Sequence, residues 1–207
     1  MLIFAINRAK EWVSDMLKTG ISEEQHQRFI SDADAASKHL QAKEYGEALD
    51  ASLKAMELGE RILDMKAEHW EKVCDDDVQK LVGAYSVAAS SYKERGDTKK
   101  VNYYAAKCIE TCTTYAEYYE SIEMLNVAST YYLKAWIYSV AYLGKNHITT
   151  ARLRLCSGKV KLRRGRYSEA IIDVFAAYEI GQKLYGGTHL LTAEAKCLLK
   201  ILRKQVI

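Results

Sequence analysis

Seven cations and no acid occupy residues 152–166, in the stretch RLRLCSGKVKLRRGR. Wound at about 100° per residue, Arg152, Lys159, Arg163 and Arg166 share one arc, opposite or beside the apolar Leu153, Cys156 and Val160. The chemistry open to such a stripe is anion recognition, because guanidinium and ammonium groups donate charge-assisted hydrogen bonds to carboxylates and phosphates. The same pattern also suits a solvated helix face. Nucleic acid is the weaker alternative, since tracking a phosphate backbone takes several such stripes and the chain carries a net charge of only +3.

Other reactive residue types are scattered. His147 and His189 lie 42 positions apart in two similar segments, YLGKNHITTA and LYGGTHLLTA, so they should share a role, a hydrogen bond that fixes a turn. A catalytic histidine would need an oriented nucleophile and a third partner. Gly186-Gly187 lacks the strand and the Gly-x4-Gly-Lys-Ser/Thr spacing of a phosphate loop. It should end one helix on a left-handed glycine and begin the next at Thr188. Cys108 and Cys112 share a helical face, but zinc asks for four ligands and no Cys-x2-Cys or His-x3-His pair accompanies them; they read as small buried residues. Asp75, Asp76 and Asp77 lack the glycine and final glutamate of a calcium loop and fit a helix start near Val78, where acids complement free amides. With no nucleophile elbow, Walker loop or zinc motif, neither an enzymatic activity nor a cofactor is expected.

The elements that must hold these residues are helices. Apolar residues recur at helical spacing nearly everywhere, without an Asn-Gly or Asp-Gly turn or a sustained two-residue alternation. With 49% apolar and 28% charged residues the chain suits a folded globular protein rather than a disordered one. No run reaches the ~18 apolar residues of a membrane span, no secretory signal is seen, and the five cysteines sit in helical patterns, so a cytoplasmic, reduced setting is expected. There is no proline, which leaves helix ends to glycine, polar caps and packing. Ile6, Ala9, Val13 and Met16/Leu17 form the stripe of an N-terminal amphipathic helix within residues 1–20, and Ser22 with Gln25 reads as a capping box. Residues 98–143 contain no glycine and fit two long helices or three short ones.

Longer-range self-similarity orders these helices. EYGEALDASLKAMELGERIL (44–63) matches RYSEAIIDVFAAYEIGQKLY (166–185) at an offset of 122, with Tyr45/Tyr167, Ala48/Ala170, Ala55/Ala177 and Gly59/Gly181 coinciding. Alanines seven apart share a face and let a neighbouring helix approach closely. The spacing Tyr-x2-Ala-x6-Ala, together with Tyr85-x2-Ala88-Ala89-x2-Tyr92 upstream, resembles the tetratricopeptide repeat. The 42-residue period and the LG-x-x-H…TA linker are similar to the longer repeats of kinesin light chains and their bacterial relatives. The resemblance covers roughly residues 29–200. Against that family's pattern, the closing proline is absent, Tyr85 or Arg154 stands in place of the first-helix tryptophan, and the second-helix starts Tyr45, Thr98, Leu125 and Tyr167 are spaced 53, 27 and 42 apart.

The resemblance implies an all-α fold, an α-α superhelix of stacked antiparallel helix pairs over residues 22–205. A capping helix, 188–204, should close it with Leu191, Ala195, Leu198/Leu199 and Leu202 turned inward. The implied function is that of a non-catalytic scaffold or adaptor that binds a peptide or protein segment in the concave groove lined by the first helices. The segment before Tyr167 would be such a helix, making Arg152, Lys159, Arg163 and Arg166 the partner-binding residues for an acidic or phosphorylated ligand. Ala33, Ser37, Ser86 and Ser90 stand where chaperone-binding relatives carry the Lys and Asn of their carboxylate clamp, which argues against a heat-shock chaperone tail. Eleven acids against four bases in residues 44–79 also suggest a salt-sensitive head-to-tail homo-oligomer with the basic end.

Overall fold

Helix boundaries follow the capping chemistry of the sequence. The computed structural model describes residues 21–67 and 75–205, and within them eight α-helices follow one another without a strand. They are α1 (Glu23–Gln41), α2 (Tyr45–Ala67), α3 (Asp75–Glu94), α4 (Thr98–Ser121), α5 (Leu125–Tyr142), α6 (Ile148–Arg163), α7 (Tyr167–Tyr185) and α8 (Leu190–Arg203). The expected amphipathic helix of residues 1–20, and Cys74, lie outside the described residues. The capping box opens α1: the Ser22 amide donates to Gln25 Oε1 at 2.9 Å, and the Gln25 amide to Ser22 Oγ at 3.2 Å.

Four turns are copies of one another. After α1, α3, α4 and α6 the chain passes through one left-handed residue, Lys43 (φ 62°), Gly96 (73°), Glu123 (61°) or Gly165 (72°). The next amide then reaches the carbonyl five residues back, Glu44 to His39, Asp97 to Tyr92, Met124 to Tyr119 and Arg166 to Lys161, at 2.9–3.0 Å. Each turn therefore stops one helix and starts another within three residues, at Tyr45, Thr98, Leu125 and Tyr167. The uneven spacing has a plain cause. Helix α4 has such a turn at both ends, so it is the second helix after α3 and the first before α5. Residues 98–143 accordingly form two long helices, of 24 and 18 residues, ending at Tyr142.

Counted from those starts, the eleventh residue is Ala55, Cys108, Ala135 or Ala177, each 0% exposed. The fifteenth is Gly59, Cys112, Ser139 or Gly181, again buried. These small residues let helices touch: a Cβ on Gly59 would stand 2.7 Å from the Phe29 ring, and one on Gly181 would stand 2.7 Å from Leu191. Cys108 and Cys112 fill the same places as alanine and glycine elsewhere. Burial holds both thiols protonated, raising Cys112 to about 12 and Cys108 further still.

The chain divides into two compact units, Met1–Tyr104 and Ala105–Ile207, with the boundary inside α4. In the first, α1, α2 and α3 pack on one another around Phe29, Ala36, Ala48 and Val87. His26 Nε2 meets Asp77 Oδ1 at 2.7 Å, joining α1 to α3. Asp75, Asp76 and Asp77 do lie in the first turn of α3, and Asp77 is in addition a buried partner, 1% exposed. In the second, α5 packs on α6, α6 on α7 and α7 on α8. Tyr131 stacks on Tyr119 at 5.7 Å, and Ala151, Leu155, Val174, Ala177, Leu191 and Leu202 belong to one continuous core.

Candidate protein-interaction surface

Helix α6 begins at His147, whose Nδ1 accepts the Thr149 amide at 3.2 Å. His189 makes the same bond to the Leu191 amide at 3.3 Å and stacks on Tyr185. The two histidines therefore cap helices. The expected start at Thr188 moves to Leu190, because His189 and not the threonine supplies the capping acceptor.

Two faces of α6 are consumed by packing. Thr150, Leu153, Ser157 and Val160 are buried on one, and Ala151, Leu155 and Gly158 on another, where a Cβ on Gly158 would lie 2.5 Å from Val174 of α7. Positions 152, 156, 159 and 163 remain, one helical turn apart, with Arg152 and Arg163 exposed and Cys156 and Lys159 half-buried. Arg166 does not belong to this stripe. The left-handed turn at Gly165 has already ended α6, so Arg166 sits at the start of α7, with Nε donating to Glu169 Oε1 at 2.6 Å.

Carboxylates answer most of these cations. Arg163 donates through Nη1 to Glu120 at 2.8 Å and through Nη2 to Glu123 at 2.6 Å, while Lys159 pairs with Glu194. Among the described residues Arg152 meets no carboxylate. The field along the stripe is mixed. Burial pushes the Cys156 thiol up, Lys159 draws it down, Glu120 and Glu117 raise it, and Arg152 lowers it.

Two further cations of the segment, Arg154 and Lys161, turn inward, to a residue that sequence reasoning missed. Asp173 of α7 is 2% exposed and accepts from Ser157 Oγ at 2.7 Å, from Lys161 Nζ at 2.5 Å, and from Arg154. The Arg154 guanidinium lies 4.0 Å from the ring centre of Trp136 on α5. One acid on the buried face of AIIDVFAAY was the available signal. A second feature also went unread: the ninth residue of α2, α5 and α7, namely Leu53, Leu133 or Phe175, is 38%, 50% or 45% exposed.

A shallow depression of about 310 Å³ beside Arg166 is lined by Tyr167, Ser168, Glu169 and Gln205, and its main cation and acid already pair with each other. Among the described residues no three His, Cys, Asp or Glu side chains are grouped to hold a metal, and no helix is long and apolar enough to cross a membrane. At the clamp positions Ala33 is buried, and Ser37 Oγ folds back on the Ala33 carbonyl at 3.2 Å.

Repeated turns, repeated small positions and paired helices joined by short connections give the chain an all-α helical-repeat fold that resembles the tetratricopeptide pattern. No protein-family model and no curated protein sequence matches the chain. Among solved structures it is similar to BtubC (BKLC) from P. vanneervenii, with a TM-score of 0.45 and 13% identity over 89% of this chain and 85% of that one.

Proposed function

We propose that the chain is a non-catalytic scaffold that binds a peptide or protein segment across α6, with Arg152, Lys159 and Arg163 meeting acidic or phosphorylated side chains. The observation that supports this most is the stripe at 152, 156, 159 and 163, which presents Arg152 with no carboxylate partner among the described residues and Lys159 and Arg163 in partly exposed ion pairs. Lys159 and Arg163 are held by partly exposed glutamates, and such pairs contribute only about 0–1 kcal/mol each. A ligand acid can therefore exchange with them at little cost. A phosphate, with more charge and three acceptor oxygens, exchanges most readily. Arg166 contributes to the edge of this surface from the α6–α7 turn.

The test is an affinity pull-down from the native cell, repeated with Arg152→Glu, Lys159→Glu and Arg163→Glu together. Partners lost in the reversed variant, and weakened by phosphatase treatment or added salt, support the reading. An unchanged set of partners refutes it. A gel shift with oligonucleotides at low salt would transfer the surface to nucleic acid.

A further inference from the structure

Helices α6 and α8 share one register. With His147 placed on His189, Thr150 falls on Thr192, Leu153 on Ala195 and Val160 on Leu202, and all six are buried. The side that α6 turns to α7 has the opposite fate. Ala151, Leu155 and Gly158 are covered, whereas their counterparts Ala193, Cys197 and Lys200 are exposed. Among the described residues α8 packs on α7 and touches α6, and nothing packs over its other side.

The charges repeat as well. Arg154 and Lys161, which hold Asp173 between them, correspond to Lys196 and Arg203. Both are exposed, and among the described residues neither meets a carboxylate. Leu190 and Ile201, 80% and 44% exposed, add apolar area along the same helix. We propose that this open face of α8 docks an acidic amphipathic helix of a partner protein, which places a carboxylate between Lys196 and Arg203 as Asp173 lies between Arg154 and Lys161.

The substitution at one position selects against a second copy of this chain. Where Gly158 lets Val174 come close, α8 carries Lys200, so a helix with the α7 sequence would bring a valine against an ammonium group. The occupant that fits carries a second acid there. This inference rests on the reading of the chain as a recognition scaffold but uses a different surface, so the two fail separately.

The probe is a stapled helical peptide of residues 167–185 with Val174→Glu, titrated into the full chain by fluorescence anisotropy. Saturable binding is expected, about tenfold weaker when the peptide carries Asp173→Asn or the chain carries Lys196→Glu with Arg203→Glu, and unchanged by Arg152→Glu. Because Lys196 and Arg203 are exposed, the reversed chain keeps its circular dichroism and melting curve. Absence of saturable binding, or equal binding by the reversed chain, overturns the proposal. Loss of binding with Arg152→Glu alone moves the ligand to α6 and also overturns it. Concentration-dependent light scattering of the chain alone, abolished by the same double reversal, would make the occupant a second copy and overturn the partner assignment.

Discussion

Arg154 of α6 reaches Asp173 of α7 while its guanidinium rests on the Trp136 ring of α5, so one side chain ties three successive helices together. Removing the acid leaves two cations around a buried gap. Asp173→Ala should lower stability by about 3 kcal/mol, read from urea unfolding of the full chain. Replacing Asp173, Arg154 and Lys161 together with leucine should recover most of that loss, since no charge is then stranded. If the single substitution is neutral, the network does not contribute as argued.

Two helical glycines should respond to alanine with opposite signs. A Cβ on Gly158 meets Val174 at 2.5 Å and the Ala170 carbonyl at 3.3 Å, so Gly158→Ala should cost about 1–3 kcal/mol. Gly83 in α3 has nothing within 4 Å of the corresponding position, and Gly83→Ala should stabilise by about 0.5–1 kcal/mol. Melting temperatures of the two variants, shifted in opposite directions, check the packing.

Left-handed turns separate the residues in the same way. Lys43 holds φ 62° without being glycine, so Lys43→Gly should gain about 0.5–1 kcal/mol. Gly165→Ala, at φ 72°, should lose about 1 kcal/mol. Chemical denaturation that ranks the two variants the other way would contradict the turn geometry.

The buried thiols set a reactivity order and an alkaline limit. In the native chain Ellman's reagent at pH 8 should label exposed Cys197 and spare Cys108 and Cys112, which react only after unfolding. Burial raises Cys112 from 9.0 to about 12, so the folded state keeps a proton that the unfolded state releases. The associated stability is present in full below pH 9.0 and declines as pH climbs toward 12. Cys112→Ala should flatten that part of the stability curve.

Deleting residues 188–207 should uncover Val174, Ala177 and the half-buried Ile171 and Tyr178, which now pack in one core with Leu191, Leu199 and Leu202. Aggregation in light scattering is the expected outcome. A soluble truncation with a cooperative melt would show that α8 is dispensable.

The sequence made the helix starts readable wherever a glycine or a capping pair marked them, as at Ser22, Gly96 and Gly165. Turns at Lys43 and Glu123 use the same geometry without that mark, since packing on both sides stabilises a left-handed conformation that local preference disfavours. For the same reason the pairing of Arg163 with Glu120 and Glu123, 40 or more residues away, was hidden, and the stripe looked more basic than it is. Asp173 could be suspected as an acid on an apolar face, but its partners Arg154, Ser157 and Lys161 lie on another helix and were hidden. The histidine role was legible because two copies 42 residues apart had to share one explanation.

The chain holds no proline, and its described corners are made by left-handed residues and capping side chains. Refolding therefore meets no prolyl cis–trans isomerisation, the step that commonly adds a phase of tens of seconds. After dilution from denaturant the chain should regain its helices free of that delay, and a prolyl isomerase should not change the rate.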